Sequence, residues 1–483
     1  MFPVVPYLTP SLSPSGRRRA ETLADALRSE RPELVVPEIY RSLVPSELPL
    51  APAVHLDDQS AITSPSRSQA TYRQGRARCR AEDGDYVVTT SPEDPAYEPY
   101  CETMLALGKV CWLTAKAEGN PRRLANHAMR DRDVRRELTR AIRREGLLYV
   151  HPYMGSTDVW ELARALESAT RRPVKVLAPH PELTRWVNDK VHFADVVTRL
   201  LGERFVPETH DASSLSVLSD RVRALAQEGT SLVIKLPDSA AGAGNVLVRT
   251  VRFRHRSLEE IHAELRDLME TLNWRGESHL LVSAWTDDVQ SAPSSQLWIP
   301  PLGLGDPVVE GLFEQRLDGL EFTGSQRAEL PHVLAQEIAD RSALLGLTFQ
   351  QLGYVGRCSF DLVLARDRIE FIEANGRWGG TSTPMTLMNR VLGRWWDRAH
   401  VARALSEPGL ARFDFDQVLA IFRDRVYDAN TRKGELIFYN PASVRANAVL
   451  NVVALAESTP EAGALVETTV RALLRERLER AQR

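Results

Sequence analysis

A mixed α/β and α+β architecture is predicted, and three features predict it. Through the first half of the chain, short β-type runs alternate with amphipathic helical stretches at a spacing that implies a parallel sheet. Further along, the chain changes to apolar runs flanking polar loops and to one clear hairpin. The length, 483 residues, exceeds one compact domain and fits about three units at roughly 150 residues each.

The elements follow in order. Residues 1–80 are rich in Pro, Ser and Arg, with a helix predicted around Arg17–Arg28 and an apolar stretch at Glu33–Pro37. The Ser/Arg-rich stretch at 60–80 reads as a loop or mobile segment. From Asp85 the pattern becomes α/β: a buried strand at Tyr86–Thr90, a Pro-rich loop, then a helical stretch ending at Leu107. A charged helix over Arg130–Arg144, whose mixed signs suit a solvated face, leads to a strand at Leu147–Val150 and an amphipathic helix over Thr157–Ala169. Helices at Asp189–Leu201 and Ser219–Glu228 precede the strand Ser231–Leu236. Apolar runs at His279–Trp285 and Gln296–Ile299 flank a polar loop; a helix at Pro331–Leu345 and a hairpin over Cys358–Ala374 come next. The last part offers strands at Glu435–Tyr439 and Ala448–Ala454, and a final helix with Thr459 as cap and Pro460 in the first helical position. No internal repeat is present.

Composition narrows the function. With 43% hydrophobic and 26% charged residues the chain reads as soluble and globular. A formal net charge of −3 leaves no basic surplus to neutralise phosphates, which argues against nucleic acid as a partner. No apolar run approaches the ~20 residues of a membrane helix, and the N-terminus lacks a signal-peptide pattern, so a cytoplasmic protein without membrane attachment is expected. Cys79, Cys101, Cys111 and Cys358 have no metal-type spacing and are expected as free thiols. Among 61 basic residues only Lys109, Lys116, Lys175, Lys190, Lys235 and Lys433 are lysine. A surviving lysine is therefore a candidate for a place needing a compact point charge.

Two constellations carry chemistry. The hairpin strands Ser359–Leu364 and Ile369–Asn375 set polar groups among residues that should be buried, and Glu373 and Asn375 share a face by strand alternation. A three-residue turn, Arg366–Arg368, would pair Ala365 with Ile369 and set Asp361 opposite Glu373. Converging carboxylates resist desolvation unless a cation lies between them; Mg²⁺, held by one or two carboxylates while phosphates and waters complete its shell, suits this set. Next comes Gly376-Arg377-Trp378-Gly379-Gly380, an Arg for phosphate among glycines that admit close backbone approach. The competing reading of the hairpin is a solvated face with ordinary surface charges. The second constellation is Lys235 ending a buried strand before Ser239-Ala240-Ala241-Gly242-Ala243-Gly244. Such a loop can lay N–H groups and an ammonium against a triphosphate, although the Lys precedes the glycines and no P-loop is spelled; a plain flexible hairpin is the alternative.

Together these motifs resemble the ATP-grasp enzymes. The resemblance covers roughly residues 185–395 and implies ATP and Mg²⁺ as cofactors. Lys190 and Lys235, with Ser239, Gly242 and Gly244, would cradle the phosphates. Asp361, Glu373 and Asn375 would hold the metal, and Arg377 would stabilise the transferring phosphoryl group. Trp285 is the candidate beside adenine and Asp288 or Gln290 beside the ribose, but the family's usual hinge glutamate is absent, with Ser283 or Ala284 in its place. Tyr149–Tyr153 is similar to the pre-ATP-grasp domain of the peptide ligases typified by the pheganomycin enzyme. The implied layout is a Rossmann-like pre-ATP-grasp domain over 1–185, an ATP-grasp domain over 186–400 and a small α+β appendix over 401–483. The implied activity is a carboxylate–amine ligase forming an amide or peptide bond through an acyl phosphate, in natural-product biosynthesis. Its substrates would be an amino acid or short peptide, and its assembly a homo-oligomer. Two alternatives are transfer of the acyl group to a carrier-protein thiol, and a nucleotide-binding regulatory protein without turnover.

Overall fold

The computed structural model describes residues 4–47, 52–62, 67–228, 231–235, 245–271, 274, 280–286, 288–318, 321–366 and 368–480. Three sheets organise them. The first is parallel throughout and has five strands: β1 (Ala53–Leu56), β2 (Tyr86–Thr89), β3 (Cys111–Thr114), β4 (Leu148–Pro152) and β5 (Val174–Val176), in the order β3-β2-β1-β4-β5. β1, β2 and β4 are buried at every position, as expected of parallel strands covered on both faces. The strand order reverses between β1 and β4, and crevices at such switch points, beyond the carboxyl ends of the strands, are where open α/β sheets take ligands.

The covering helices begin and end where local chemistry dictates. Asp131 caps Arg132–Glu145 by accepting from the amides of Asp133 and Val134, and Gly146, at φ 80°, ends it. Ser156 caps Thr157–Thr170. The final helix also starts with a cap, but Ser458 supplies it, accepting from the Glu461 amide, while Thr459 is the first helical residue and Pro460 the second. Ser458 has the extended backbone that a cap requires, so the predicted frame shifts by one residue.

A four-stranded antiparallel sheet follows: β6 (Thr209–Ala212), β7 (Leu232–Lys235), β8 (Asn245–Val248) and β9 (Leu280–Ala284), ordered β6-β9-β7-β8. It packs its own core of Leu232, Ile234, Val282, Phe253 and Leu265. The third sheet has eight strands: β10 (Pro293–Ile299), β11 (Val308–Asp318), β12 (Glu321–Arg327), β13 (Gly356–Ala365), β14 (Arg368–Asn375), β15 (Ala399–Ser406), β16 (Leu436–Tyr439) and β17 (Val449–Ala456). Its order is β14-β13-β10-β11-β12-β15-β17-β16, so strands on both sides of residue 400 share one continuous sheet.

The N-terminal arm belongs to this third layer. Tyr7 lies against Trp395 and Trp396, Leu8 bridges to Val309, and the helix Pro14–Glu30 packs Leu23, Ala24 and Leu27 into the core that contains the helix His332–Gln351. The stretch at 60–80, expected as a loop or mobile segment, is helical over Arg67–Arg73 and Gln74–Arg80. The Ser/Arg composition misleads there because Arg76, Arg78 and Arg80 meet carboxylates inside the protein. Arg78 is fully buried on Glu98, and Arg80 pairs with Asp57 at 2.7 Å with both side chains about 1% exposed.

Three of the four cysteines are buried and all four are free thiols. Among the described residues no helix is long and apolar enough to cross a membrane.

Candidate functional site

The site is built on the hairpin β13–β14. Its turn is tighter than predicted, since Ala365 pairs with Arg368 and not Ile369. A bulge between Asp361 and Leu362 then passes over Ile372, and the ladder still sets Asp361 opposite Glu373 and Ser359 opposite Asn375. On the other flank Ser294 of β10 stands opposite Asp361, giving a row of Ser294, Asp361 and Glu373 across three strands.

Hydrogen bonds tie this row to its neighbours. Ser294 Oγ donates to Asp361 Oδ1 at 2.6 Å and Asn375 Nδ2 donates to Asp361 Oδ2 at 3.0 Å. Arg377 Nη1 donates to Asn375 Oδ1 and, at 3.3 Å, to Asn188 Oδ1. The same Asn188 oxygen accepts from the Gly376 amide at 3.1 Å. A side chain at Gly376 would put its Cβ 2.9 Å from Asn188 Nδ2, so glycine is what lets this backbone close on the helix Pro181–Asn188. Lys190, the first residue of the helix Lys190–Leu201 and only 6% exposed, reaches Glu373 Oε2 at 3.3 Å. Asp189 caps that helix through the amides of Val191 and His192, which fixes where Lys190 enters.

The electrostatics suit a hard cation. Burial first, and the Glu373 carboxylate second, push the Asp361 carboxyl up to about 6, while the Ser294, Gln315 and Arg377 side chains oppose the shift. Two half-buried carboxylates facing each other are costly without added positive charge, which Lys190 supplies at Glu373 and Arg377 near Asp361. Among the described residues no group of three or more His, Cys, Asp or Glu side chains is arranged as a metal site. The donor set is two carboxylates and an amide oxygen, which fits Mg²⁺ sharing its shell with phosphates.

Lys190, Asp361, Glu373, Asn375 and Arg377, predicted from distant stretches, therefore meet at one place. Lys235 closes β7, its backbone in register with Asn245 and Leu281. Ser239, Gly242 and Gly244 lie outside the described residues. Trp285 follows β9, half-buried, with its amide on the Ser231 carbonyl at 2.8 Å. Asp288 is 58% exposed, 3.7 Å from Arg368 near the hairpin turn, and is not part of the cluster around Arg377.

Three contributors had no predicted role: Asn188, Ser294 and Tyr153, the last of which helps keep the Arg377 guanidinium charged. Tyr153 sits inside the Tyr149–Tyr153 run singled out above and Asn188 lies two residues before Lys190, so adjacency was the available signal. Ser294 carried none.

A cavity of about 410 Å³ opens beside this cluster. Glu373, Asn375 and Arg377 are among its lining residues, as are the apolar Trp186, Ile62 and Met154. Ile62 and Met154 come from the loops after β1 and β4, at the switch point of the parallel sheet.

Comparison with known proteins agrees with this layout. Residues 75–168 match the family model described as the pre ATP-grasp domain. No curated protein sequence matches the chain. Among solved structures, the ADP complex of N5-carboxyaminoimidazole ribonucleotide synthetase is similar, with 10% identity and a TM-score of 0.53, over 89% of this chain and 98% of that one. The N5-carboxyaminoimidazole synthetase of Staphylococcus aureus complexed with ADP gives 9% identity and a TM-score of 0.50, over 89% and 99%. With the parallel sheet leading into the hairpin-bearing sheets, the chain has the fold of a pre-ATP-grasp domain joined to an ATP-grasp domain.

Proposed function

We propose that this protein is an ATP- and Mg²⁺-dependent carboxylate–amine ligase that joins an amino acid or short peptide to an amine through an acyl phosphate. The observation that carries the reading is the convergence of Lys190, Asp361, Glu373, Asn375 and Arg377 beside a cavity large enough for a small acid. Both similar structures named above are synthetases with ADP bound, which supports a nucleotide site in this fold.

In this reading the acid lies in the cavity with its body along Trp186, Ile62 and Met154 and its carboxylate toward Arg377. A carboxylate oxygen attacks the γ-phosphorus of ATP, the bond to the β-phosphate oxygen breaks, and ADP leaves. The amine nitrogen then attacks the acyl carbon, phosphate departs with the C–O electron pair, and the nitrogen loses a proton to give the amide. Catalysis rests on positioning and on charge aimed at the transferring group, with no covalent enzyme intermediate. Lys190 and Lys235 hold phosphate oxygens. Arg377, whose fork is oriented by Asn375 and Asn188, faces the phosphoryl oxygens as charge spreads over them. Asp361, Glu373 and Asn375 would hold Mg²⁺, which would screen the phosphates.

The test is ADP release from Mg·ATP across a panel of amino acids and dipeptides, with hydroxylamine to trap the acyl phosphate. Hydroxamate formed only with a particular acid supports the ligase. Tight ATP binding with no ADP release and no hydroxamate from any acid refutes it and favours a nucleotide-binding protein without turnover. The pathway served, natural-product biosynthesis among the candidates, follows from whichever acid responds.

A further inference from the structure

Beside Arg377, the next residue is held more elaborately than the site itself. The Trp378 indole is 2% exposed and has a guanidinium on each of two contacts: Arg80 at 4.9 Å and Arg357 at 4.8 Å from the ring centroid. Each of these arginines has its own buried acid. Arg80 pairs with Asp57, just after β1, and Arg357, in β13, pairs with Glu310 in β11. The Trp378 amide donates to the Tyr153 carbonyl at 3.0 Å. The His151 ring lies 5.5 Å from the indole, and Arg80 also donates to the His151 carbonyl at 3.3 Å.

Two buried ion pairs around one aromatic ring are an expensive way to fill space. Ion pairs of this kind gain little over apolar packing, and an indole needs no cation to be buried. What the arrangement does achieve is a join. His151 lies in β4 of the N-terminal parallel sheet, Asp57 and Tyr153 directly follow β1 and β4, and Arg80 ends the helical stretch before β2, while Arg357 and Glu310 belong to the eight-stranded sheet that carries Asp361 and Glu373. Trp378 is gripped by both, one residue away from the arginine that points at the cavity.

We propose that Trp378 is a positioning residue: the stacks of Arg80 and Arg357 on its indole, with the Tyr153 bond to its amide, clamp the 376–378 backbone between the two sheets and so aim Arg377 at the reacting phosphoryl group. Through this clamp the N-terminal domain sets the geometry of an arginine it does not itself contain. The catalytic part of the inference rests on the ligase reading above.

Trp378→Leu removes the π face and Trp378→Phe keeps one; Arg80→Lys keeps the charge beside Asp57 and loses the flat stack. The full chain of each variant is compared by hydrogen exchange of the peptide covering 374–380, by MgATP affinity, and by kcat for ADP release per folded molecule. The clamp predicts at least tenfold faster exchange at 376–378 in Trp378→Leu, with the rest of β13 and β14 unchanged. It also predicts a 10- to 100-fold fall in kcat with MgATP affinity held within twofold, and recovery to within about threefold in Trp378→Phe. Arg80→Lys moves both readouts in the same direction and decides the matter if Trp378→Leu does not fold. Unchanged exchange at 376–378 overturns the clamp, as does a kcat per folded molecule equal to that of the unmodified chain. A chain that binds MgATP yet turns over no acid refutes the ligase reading, and the exchange measurement still decides the clamp.

Discussion

Replacing Glu373 by alanine separates the metal-binding role proposed for this carboxylate from its structural one. Its Oε2 lies 3.3 Å from Lys190 Nζ, with the lysine side chain 6% and the glutamate 28% exposed. At an effective dielectric of about 20 the gross attraction is ~5 kcal/mol, most of it offset by the cost of taking both charges out of water. The net loss to folding is then about 1.5–3 kcal/mol, the usual worth of a hydrogen bond to a charged group. Unfolding entropy of roughly 2.1 cal/mol/K per residue over a chain this long turns that into a fall in Tm of only about 2–3 °C if the chain unfolds as one unit. Turnover should respond far more strongly. Losing one of the two proposed carboxylate ligands together with its contact to Lys190 is expected to cost about 10²–10³ in kcat, or ~3–4 kcal/mol at the transition state. The assay is ADP release against a Mg²⁺ titration at saturating ATP, with circular dichroism to verify the fold. A kcat within a few-fold of the unmodified chain at low Mg²⁺ would refute the metal assignment.

Other expectations concern different parts of the molecule. Lys235→Ala should weaken ATP binding about tenfold in calorimetric titration; an unchanged affinity leaves the segment after β7 as an ordinary hairpin. Glu310→Gln leaves the buried Arg357 charge without its acid and should cost about 3–5 kcal/mol, read as a drop of several degrees in Tm, whereas a shift below 1 °C contradicts the pairing. Burial lowers His400 to about 4, against Trp395 and Phe313. The unfolded chain takes up that proton below about pH 6.5 and the folded chain only near 4, so stability should fall as pH drops through this window, by up to about 3 kcal/mol. His400→Phe should flatten that part of the pH–stability curve in urea titrations, and an identical slope in both proteins counts against it.

Where a segment's own residues decided its structure, the sequence was sufficient to read it. The hairpin is the best case: alternation and strand length specify Asp361 opposite Glu373, and that pairing holds even though a tighter turn and a bulge replace the expected turn. The helix at Lys190 and the strand ending at Lys235 were likewise legible from local pattern and from the scarcity of lysine. The losses are of another kind. β1 is only four residues long and follows a Pro-rich stretch, and it became the centre of the parallel sheet because β2 and β4 pair with it from far along the chain. Asn188 meets Gly376 across 188 positions, a contact that no window of local pattern contains. The arginines of 76–80 looked like a solvated segment because the carboxylates that bury them, Asp57 and Glu98, are read separately from them in sequence.

The docking of Pro14–Glu30 on the core with His332–Gln351 sets a timetable for synthesis. About three hundred residues separate the two helices, so at roughly 5–20 residues per second the first waits some 15–60 seconds for its partner to be made. Through that interval Leu23, Ala24 and Leu27 lack the largest surface that covers them, although the parallel sheet at 53–176 is already long enough to assemble. The nascent protein therefore passes through a stage with one domain formed and an amphipathic helix whose apolar stripe is incompletely covered. Contacts this remote along the chain also make folding slow for its size, and the opening segment is where a chaperone would be expected to engage first.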